Sequence, residues 1–509
     1  MIFRCFRRCL VSAAGVLLLV ATGSAAQSAP HSSEVATITI NTRAQAQPFP
    51  HFWEEMFGSG RARLSLRDSY RQDLRAVKDI TGFQYVRFHD ILDDSAGVYS
   101  EDKDGNPVYN FSYVDQIYDG LLANGVRPYV ELSFMPSKLA ATPIVHQPFW
   151  YQPIVSPPKD WTRWDDLIRH FAEHLVARYG IDEVSQWYFE VWNEPNIDFW
   201  AGDPKQPTYY ELYDHTARTL KEVSPRLRVG GPSTAQAAWV DSFIQHDVEN
   251  KVPVDFISTH VYGNDTAANV FGTNENIPRD RMVCRAAKKV HDEVLVSARP
   301  QLPVIFSEYN ASYANEPDVT DSIFMGPWLA DTIRQCDGLV NMLSYWTFSD
   351  VFDEQGVIKK PFYGGFGLVA EGGVPKPSFN AFRLLHMLGT QRIPVDSDSV
   401  LATRRADGSL VLAVWNYSAP EEPGAAKEIS LQFDGLKGKK RATIYRLDAD
   451  HGDALPAYAA MGSPASPTQK QYQELKAAAK LGVPEVRSLA GGKITLTLPA
   501  KALALVVIR

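Results

Sequence analysis

Short apolar runs and longer amphipathic stretches alternate along the chain between residues 50 and 390. The runs have the length and the β-branched and aromatic content of buried strands. Eight of them are predicted as strands, at residues 55–58, 85–88, 127–132, 187–192, 228–231, 256–259, 304–307 and 342–346. Between them, apolar residues recur at helical spacing, which predicts helices that include 68–80, 113–124, 161–179, 209–223, 280–298, 321–335 and 377–388. Eight such units in succession predict an α/β protein with a (β/α)8 TIM barrel over residues 50–390.

The pattern changes after about residue 390. Runs at 399–403 and 410–415 flank the dipeptide Asp407-Gly408, which is typical of a β-hairpin turn. Further strand-like runs lie at 428–431, 442–445 and 493–498, and a helix is predicted at 470–481. These elements predict an accessory β-sandwich domain over residues 391–509. Residues 34–40 also alternate as a strand does, so we expect the segment 27–49 to join the sandwich.

The first 26 residues have the features of a signal peptide. Arg4, Arg7 and Arg8 precede an apolar run at 10–21, and small residues follow at 23–26. A membrane anchor is the less favoured reading, because the run is short for a membrane span. We therefore expect an exported protein, periplasmic or extracellular, with no membrane association after the signal is removed.

Composition narrows the choice of partners. The formal net charge is −8 and becomes about −11 without the three arginines of the signal segment. Such an acidic protein is not expected to bind nucleic acid or anionic membranes. The sequence has no P-loop, no Gly-x-Ser-x-Gly elbow and no metalloprotease helix motif.

Two of the four cysteines, Cys5 and Cys9, lie in the signal segment. Cys284 and Cys336 remain, and they are too few for a cysteine-rich zinc site. Export permits a disulfide between them, and two separate buried thiols are the alternative.

Two glutamates follow or end predicted strands. Glu194 lies in Trp-Asn-Glu-Pro-Asn after the fourth strand, and Glu308 lies in Phe-Ser-Glu-Tyr-Asn at the end of the seventh. Active-site groups of (β/α)8 barrels sit at this end of the strands. Two carboxyl groups about 5–5.5 Å apart are the machinery of a retaining glycoside hydrolase. The sequence therefore predicts such an enzyme, which needs no cofactor and no metal; a capped turn is the structural alternative for Asn-Glu-Pro.

Other residues fit this chemistry. Asn193 can hydrogen-bond a sugar 2-OH, and Tyr262 can orient the carboxylate of Glu308. The segment 136–159, rich in proline and aromatic residues, can form a wall of the pocket. A cluster of four aspartates has no calcium-loop spacing and is predicted to be a solvated loop: Asp90, Asp93, Asp94 and Asp102.

The chain resembles glycoside hydrolase family 39, and within it the β-xylosidases. The resemblance is carried by Arg87-Phe88-His89, Phe134-Met135-Pro136, Trp192-Asn193-Glu194-Pro195-Asn196, His260-Val261-Tyr262, Ser307-Glu308-Tyr309-Asn310-Ala311-Ser312-Tyr313 and the run from Tyr345 to Glu354. It implies that Glu194 is the acid/base and Glu308 the nucleophile. It also implies a subsite for the non-reducing sugar formed by Arg87, His89, Phe134, Asn193, His260, Tyr262, Tyr313, Trp346 and Glu354.

Several of these implied contacts have structural alternatives. Arg87 can instead pair with Asp90 or Glu131, and either histidine can be a buried structural residue. Trp346 can be a wall rather than a stacking platform. The family pattern often has tryptophan where this chain has Tyr309, which bears on the substrate preference.

The resemblance implies a retaining exo-β-1,4-xylosidase that releases xylose from the non-reducing ends of xylo-oligosaccharides by double displacement. An α-L-arabinofuranosidase, or a hydrolase of uronate or exopolysaccharide substrates, would share the mechanism. Arg87 is the one fixed cation among the named pocket residues, which argues against a uronate. A non-catalytic carbohydrate-binding protein is the alternative from another class, and the oligomeric state stays open.

Overall fold

The computed structural model describes residues 36–436 and 440–509. The predicted signal peptide, residues 1–26, lies outside the described residues. Eight parallel strands close into a barrel, and their order around it follows their order in the chain. They are Met56–Gly58, Tyr85–Phe88, Arg127–Leu132, Tyr188–Val191, Arg228–Thr234, Phe256–Tyr262, Val304–Asn310 and Met342–Tyr345. The predicted (β/α)8 barrel is therefore confirmed.

A helix follows each barrel strand and covers the outside of the barrel. These helices are Asp68–Thr81, Ser112–Leu122, Trp161–Tyr179, Lys205–Val223, Val240–Asn250, Arg279–Val296, Met325–Cys336 and Pro377–Leu385. Shorter helices lie in the loops, at Ile181–Val184, Ala267–Phe271 and Pro317–Thr320, with 3-10 turns at Ala62–Leu66 and Ala235–Ala237.

The helix Val240–Asn250 was not among the predicted helices. Its inward positions are Val240, Phe243, Ile244 and Asp247, which have the spacing of one helical face. The last of these is an aspartate, so the apolar pattern that signals a helix is interrupted.

The fifth, sixth and seventh barrel strands run three residues further than predicted. Shifts of register occur beside Thr259, where the sixth strand meets both of its neighbours. Such bulges bend a strand and re-aim its side chains. One result is that His260 pairs in register with Glu308, so both side chains start from adjacent strands.

The accessory β domain consists of two sheets, as predicted from the C-terminal pattern. The larger sheet has the order Gln47–Pro48, Gln391–Ile393, Val400–Arg404, Leu410–Asn416, Ala502–Ile508, Arg441–Leu447 and Glu485–Ser488. The smaller sheet has the order Ala36–Asn41, Lys427–Asp434 and Lys493–Leu498. The N-terminal strand Ala36–Asn41 pairs in parallel with Lys427–Asp434. Helices Leu455–Ala460 and Gln469–Ala478 lie in a connection of this domain.

Apolar side chains hold the two sheets together and hold the β domain against the barrel. Leu412, Val506 and Leu431 belong to the core between the sheets. At the barrel side, Gly326 packs against Leu447 and Leu503, and a Cβ atom there would lie 3.0 Å from the Leu447 side chain.

Cys284 and Cys336 form a disulfide, which resolves the alternatives that the sequence left open. The bond joins the helices Arg279–Val296 and Met325–Cys336 on the outside of the barrel. Within the described residues, none of the helices combines the length and the apolar content needed to cross a membrane.

Candidate active site

The fourth and seventh barrel strands bring Glu194 and Glu308 to one cavity. Trp192 and Glu194 have positive φ angles, 71° and 45°, which few residues other than glycine adopt. The Glu194 N–H donates to the carbonyl of Ser233 at 2.8 Å, which helps to hold this strained turn. Glu308 projects from within the strand Val304–Asn310.

The two carboxyl groups are close together. One carboxylate oxygen of Glu194, one of Glu308 and one ring nitrogen of His260 all lie within 4.8 Å of one another. This separation suits attack by one carboxylate on a bond that the other protonates. It is shorter than the roughly 6.5–9.5 Å that leaves room for an intervening water in inverting enzymes.

Glu308 is surrounded by groups that favour its ionised form. Arg87 Nη1 donates to Oε1 at 2.6 Å, and the Tyr262 hydroxyl donates to Oε2 at 2.7 Å. Burial raises the pKa of Glu308, whereas the charges of Arg87 and His89 and the hydrogen bond from Tyr262 act in the opposite direction. The charged carboxylate is therefore directly compensated by a cation and a hydroxyl.

Glu194 has the opposite environment. Burial raises its pKa well above the usual range, and the charges of Glu308 and Asp265 add to this effect. The Nδ1 atom of His260 lies 3.0 Å from Glu194 Oε1. Burial, with Arg87 nearby, holds the pKa of His260 well below its usual value, so the imidazole is neutral and brings no positive charge. The pair thus presents an ionised carboxylate and a protonated carboxyl group to one cavity.

Arg87 lies beneath the cavity rather than in its lining, which corrects the expectation that it contacts the sugar. Its Nε donates to Glu190 Oε2 at 2.6 Å, and its Nη2 donates to Asn193 Oδ1 at 2.9 Å and lies 2.7 Å from Glu131 Oε2. Together with Glu308, these acceptors surround the guanidinium and leave it fully buried. The predicted alternative of a pair with Glu131 is thus part of a larger network.

Phe134 and His260 are also behind the cavity surface, contrary to the sequence-based expectation. Phe134 is fully buried, with its ring 5.5 Å from that of Trp192. His260 is enclosed between Glu194 and the Ser307 hydroxyl, which is 3.1 Å from Nε2. The alternation of the strands directs both side chains into packed layers, so neither can contact a ligand directly.

The cavity has a volume of about 490 Å³, within the usual range for small-molecule sites. Eight residues that the sequence singled out line it: His89, Asn193, Glu194, Tyr262, Glu308, Tyr313, Trp346 and Glu354. The segment 136–159 contributes Pro148 and Phe149 to the wall. The sequence did not indicate the remaining residues, which are Ile197, Phe199, Ala235, Gln236, Asp265, Gln355 and Phe366.

Asp265 is the most informative of the residues that were missed. Its Oδ2 accepts from the backbone N–H of Tyr262 at 2.7 Å, and burial raises its pKa to about 6. It lies near enough to Glu194 to raise the pKa of that group. Its position three residues after Tyr262 was the available signal, because a tight turn there returns the side chain to the strand end.

Two cavity residues have polar groups suited to sugar hydroxyls. His89 Nε2 lies 3.5 Å from Glu354 Oε1, and that oxygen is buried without a hydrogen-bond donor among the described residues. Burial and the charge of Glu308 raise the pKa of Glu354 well above its usual range. Trp346 packs so closely on Gly58 that a Cβ at that glycine would lie 2.2 Å from the indole ring. The indole is therefore a fixed wall.

Comparison with known proteins gives a consistent result. The family described as glycosyl hydrolases family 39 matches residues 36–492 of this chain. A β-xylosidase of Geobacillus stearothermophilus is 36% identical over 480 residues, which is 91% of this chain and 93% of the relative. Two solved structures are similar. A monomeric β-xylosidase from Caulobacter crescentus CB15 has a TM-score of 0.84 and 33% identity, over 93% of this chain and 99% of that one. A family 39 enzyme from Xanthomonas axonopodis pv. citri has a TM-score of 0.83 and 32% identity, over 94% and 99%.

Replacing Glu308 by Gln should lower the pKa of Glu194. The negative charge of Glu308 raises that pKa, and the amide removes the charge while it keeps the shape. Carbon-13 NMR of chains with labelled glutamate carboxyl groups would follow the titration of Glu194. The exposed Glu249→Gln variant is the matched control and should leave it unchanged. An unchanged or higher pKa of Glu194 in Glu308→Gln would contradict this electrostatic account.

Proposed function

This chain belongs to the glycosyl hydrolases of family 39 and is a glycoside hydrolase, and from that premise we propose that it is a retaining exo-β-1,4-xylosidase. Its substrates are xylo-oligosaccharides, from which it releases xylose at the non-reducing end. The carrying observation is the pair Glu194 and Glu308, close together in one cavity and held in opposite charge environments. The β-xylosidases that match most of the chain support the choice of sugar.

In this proposal Glu308 attacks the anomeric carbon while Glu194 protonates the leaving oxygen. The attack forms a covalent glycosyl–enzyme ester and breaks the glycosidic bond. Glu194, now ionised, takes a proton from the incoming water, whose oxygen attacks the anomeric carbon and frees xylose and Glu308. Hydrogen bonds from Arg87 and Tyr262 support the role of Glu308, since they hold the attacking oxygens in place.

Asn193 is proposed to bind the sugar 2-OH. Its Oδ1 accepts from Arg87, so its NH2 group is the end left for a ligand. His89 and Glu354 are proposed to bind other hydroxyls, which would give Glu354 Oε1 the donor that it lacks among the described residues. Trp346 is proposed as the wall against which the sugar ring packs.

The charge of the cavity favours a neutral sugar over a uronate. Its described lining contains four carboxyl groups and no lysine or arginine. Arg87 is enclosed beneath it by Glu131, Glu190 and Glu308. A uronate carboxylate would therefore enter an acidic pocket without a free cation to pair with it.

Initial rates on aryl glycosides test the proposed specificity. The substrates are the 4-nitrophenyl derivatives of β-D-xylopyranose, α-L-arabinofuranose, β-D-glucopyranose and β-D-glucuronic acid. The xyloside should have the highest kcat/KM, by roughly tenfold or more over the glucoside, which has an additional hydroxymethyl group. Release of xylose from xylobiose should accompany it. Preference for the glucuronide, or no turnover of any xyloside, would overturn the proposal.

Substitution of each glutamate by alanine separates their roles. Glu308→Ala should lose about 10⁴-fold or more in kcat on every substrate, because no nucleophile remains. Glu194→Ala should lose about 10²–10⁴-fold on xylobiose, whose leaving group needs protonation, and far less in the attack on 4-nitrophenyl xyloside.

Added azide gives a second readout of the same variants. It should rescue Glu194→Ala with a β-configured xylosyl azide and Glu308→Ala with the α-configured product. Glu249→Ala, at an exposed position, should keep the wild-type rates. Equal losses on both substrates for Glu194→Ala would reject its role as the acid.

A further inference from the structure

Asp247 is a buried carboxylate that the hydrolytic site does not use. It lies on the inward face of the helix Val240–Asn250 and has no exposed surface. Neither of its side-chain oxygens has a hydrogen-bond donor among the described residues. Burial of a carboxylate without a partner is costly, and buried carboxylates are normally paired with a cation or bind a metal.

Two further side chains point toward the same place. One oxygen of Asp214, one oxygen of Asp247 and one ring nitrogen of His246 all lie within 4.8 Å of one another. Asp214 comes from the neighbouring helix Lys205–Val223. The guanidinium of Arg218 lies 3.7 Å from Asp214 Oδ2, the oxygen that faces away from His246. Two carboxylates thus converge with an imidazole on a position between two helices.

The imidazole of His246 is held in the orientation that a ligand requires. Its Nε2 lies 2.8 Å from Asp214 Oδ1, and the Asn250 amide lies 3.2 Å from Nδ1. The ring also packs against Tyr210, with centroids 4.5 Å apart. Histidines that bind metals usually have the second ring nitrogen fixed by such a partner.

A solvent-accessible cavity of about 450 Å³ leads to this position. Asp214 and His246 line it, together with Glu211, Glu222 and the pair Asp165 and His215. The cavity lies on the helices after the third, fourth and fifth barrel strands, whereas Glu194 and Glu308 face the interior at the strand ends. An ion can therefore enter from solvent without passing the hydrolytic site.

We propose that Asp214, His246 and Asp247 bind a divalent transition-metal ion that joins the helices Lys205–Val223 and Val240–Asn250. One imidazole nitrogen and two carboxylate oxygens form a donor set suited to Zn²⁺, and water from the cavity completes the coordination. Ca²⁺ prefers an all-oxygen shell of six to eight ligands and fits less well. The ion neutralises Asp247, which explains why an aspartate occupies a core position of this helix.

A second cluster in the molecule is chemically similar but already satisfied. His51 Nδ1 and His386 Nδ1 lie 2.5 and 2.9 Å from the same Glu54 oxygen. Glu54 thus has two imidazole partners, whereas Asp247 has none among the described residues. This cluster provides a control that locates any bound metal.

The test is metal retention by the full chain. The protein is stripped with a chelator, exposed to Zn²⁺, desalted and analysed by mass spectrometry for zinc. We expect about one Zn²⁺ retained per chain. We also expect a rise of about 1–3 °C in the midpoint of thermal unfolding when Zn²⁺ is added. Excess Ca²⁺ should not displace the ion.

Matched variants assign the site. Asp247→Asn and Asp214→Asn should lose the retained zinc and the thermal shift, and Asp247→Asn should hydrolyse the aryl xyloside at the wild-type rate. Asp165→Asn alters the other histidine–aspartate pair of the same cavity, and Glu54→Gln alters the second cluster; both should retain zinc. The proposal is overturned if wild type retains none, if Asp247→Asn and Asp214→Asn retain it, if either control loses it, or if Ca²⁺ displaces it.

Discussion

The buried guanidinium of Arg87 is the interaction on which the active site depends. Arginine stays charged at any physiological pH, so a fully buried one must be surrounded by acceptors. Glu131, Glu190 and Glu308 provide three carboxylates, and Asn193 provides an amide oxygen. The same contacts fix Glu308 as a carboxylate and turn the amide of Asn193 toward the cavity. One side chain beneath the floor thus sets both the charge and the geometry of the groups above it.

The same positive charge accounts for the difference between the two glutamates. Arg87 and burial together keep His260 neutral, so the imidazole next to Glu194 brings no cation. Glu194 therefore feels burial and the negative charge of Glu308, and it keeps its proton. An acid and a nucleophile of identical residue type arise from their surroundings alone. The family relationship identifies a glycoside hydrolase, and this asymmetry gives that identification a physical mechanism.

The sequence predicted most of the barrel, because eight short apolar runs separated by amphipathic helices leave few alternatives. It also predicted that Glu194 and Glu308 share a cavity, since parallel strands of a barrel end at one face. It could not assign Arg87 and His260 to the layer beneath the cavity, because alternation gives the face of a strand but not the depth of a side chain. The helix Val240–Asn250 was missed since Asp247 interrupts its apolar face. Where local patterns failed, long-range electrostatics or an unusual core residue was responsible.

The configuration of the first product tests the central claim most directly. Oxygens of Glu194 and Glu308 within 4.8 Å of each other require direct attack and hence retention. Proton NMR of the anomeric signals during hydrolysis of xylobiose distinguishes the outcomes before mutarotation equilibrates the sugar. The account predicts that β-xylose appears first and that the α-anomer grows in later. Initial formation of α-xylose would show inversion through water and would contradict the assignment of Glu308 as the nucleophile.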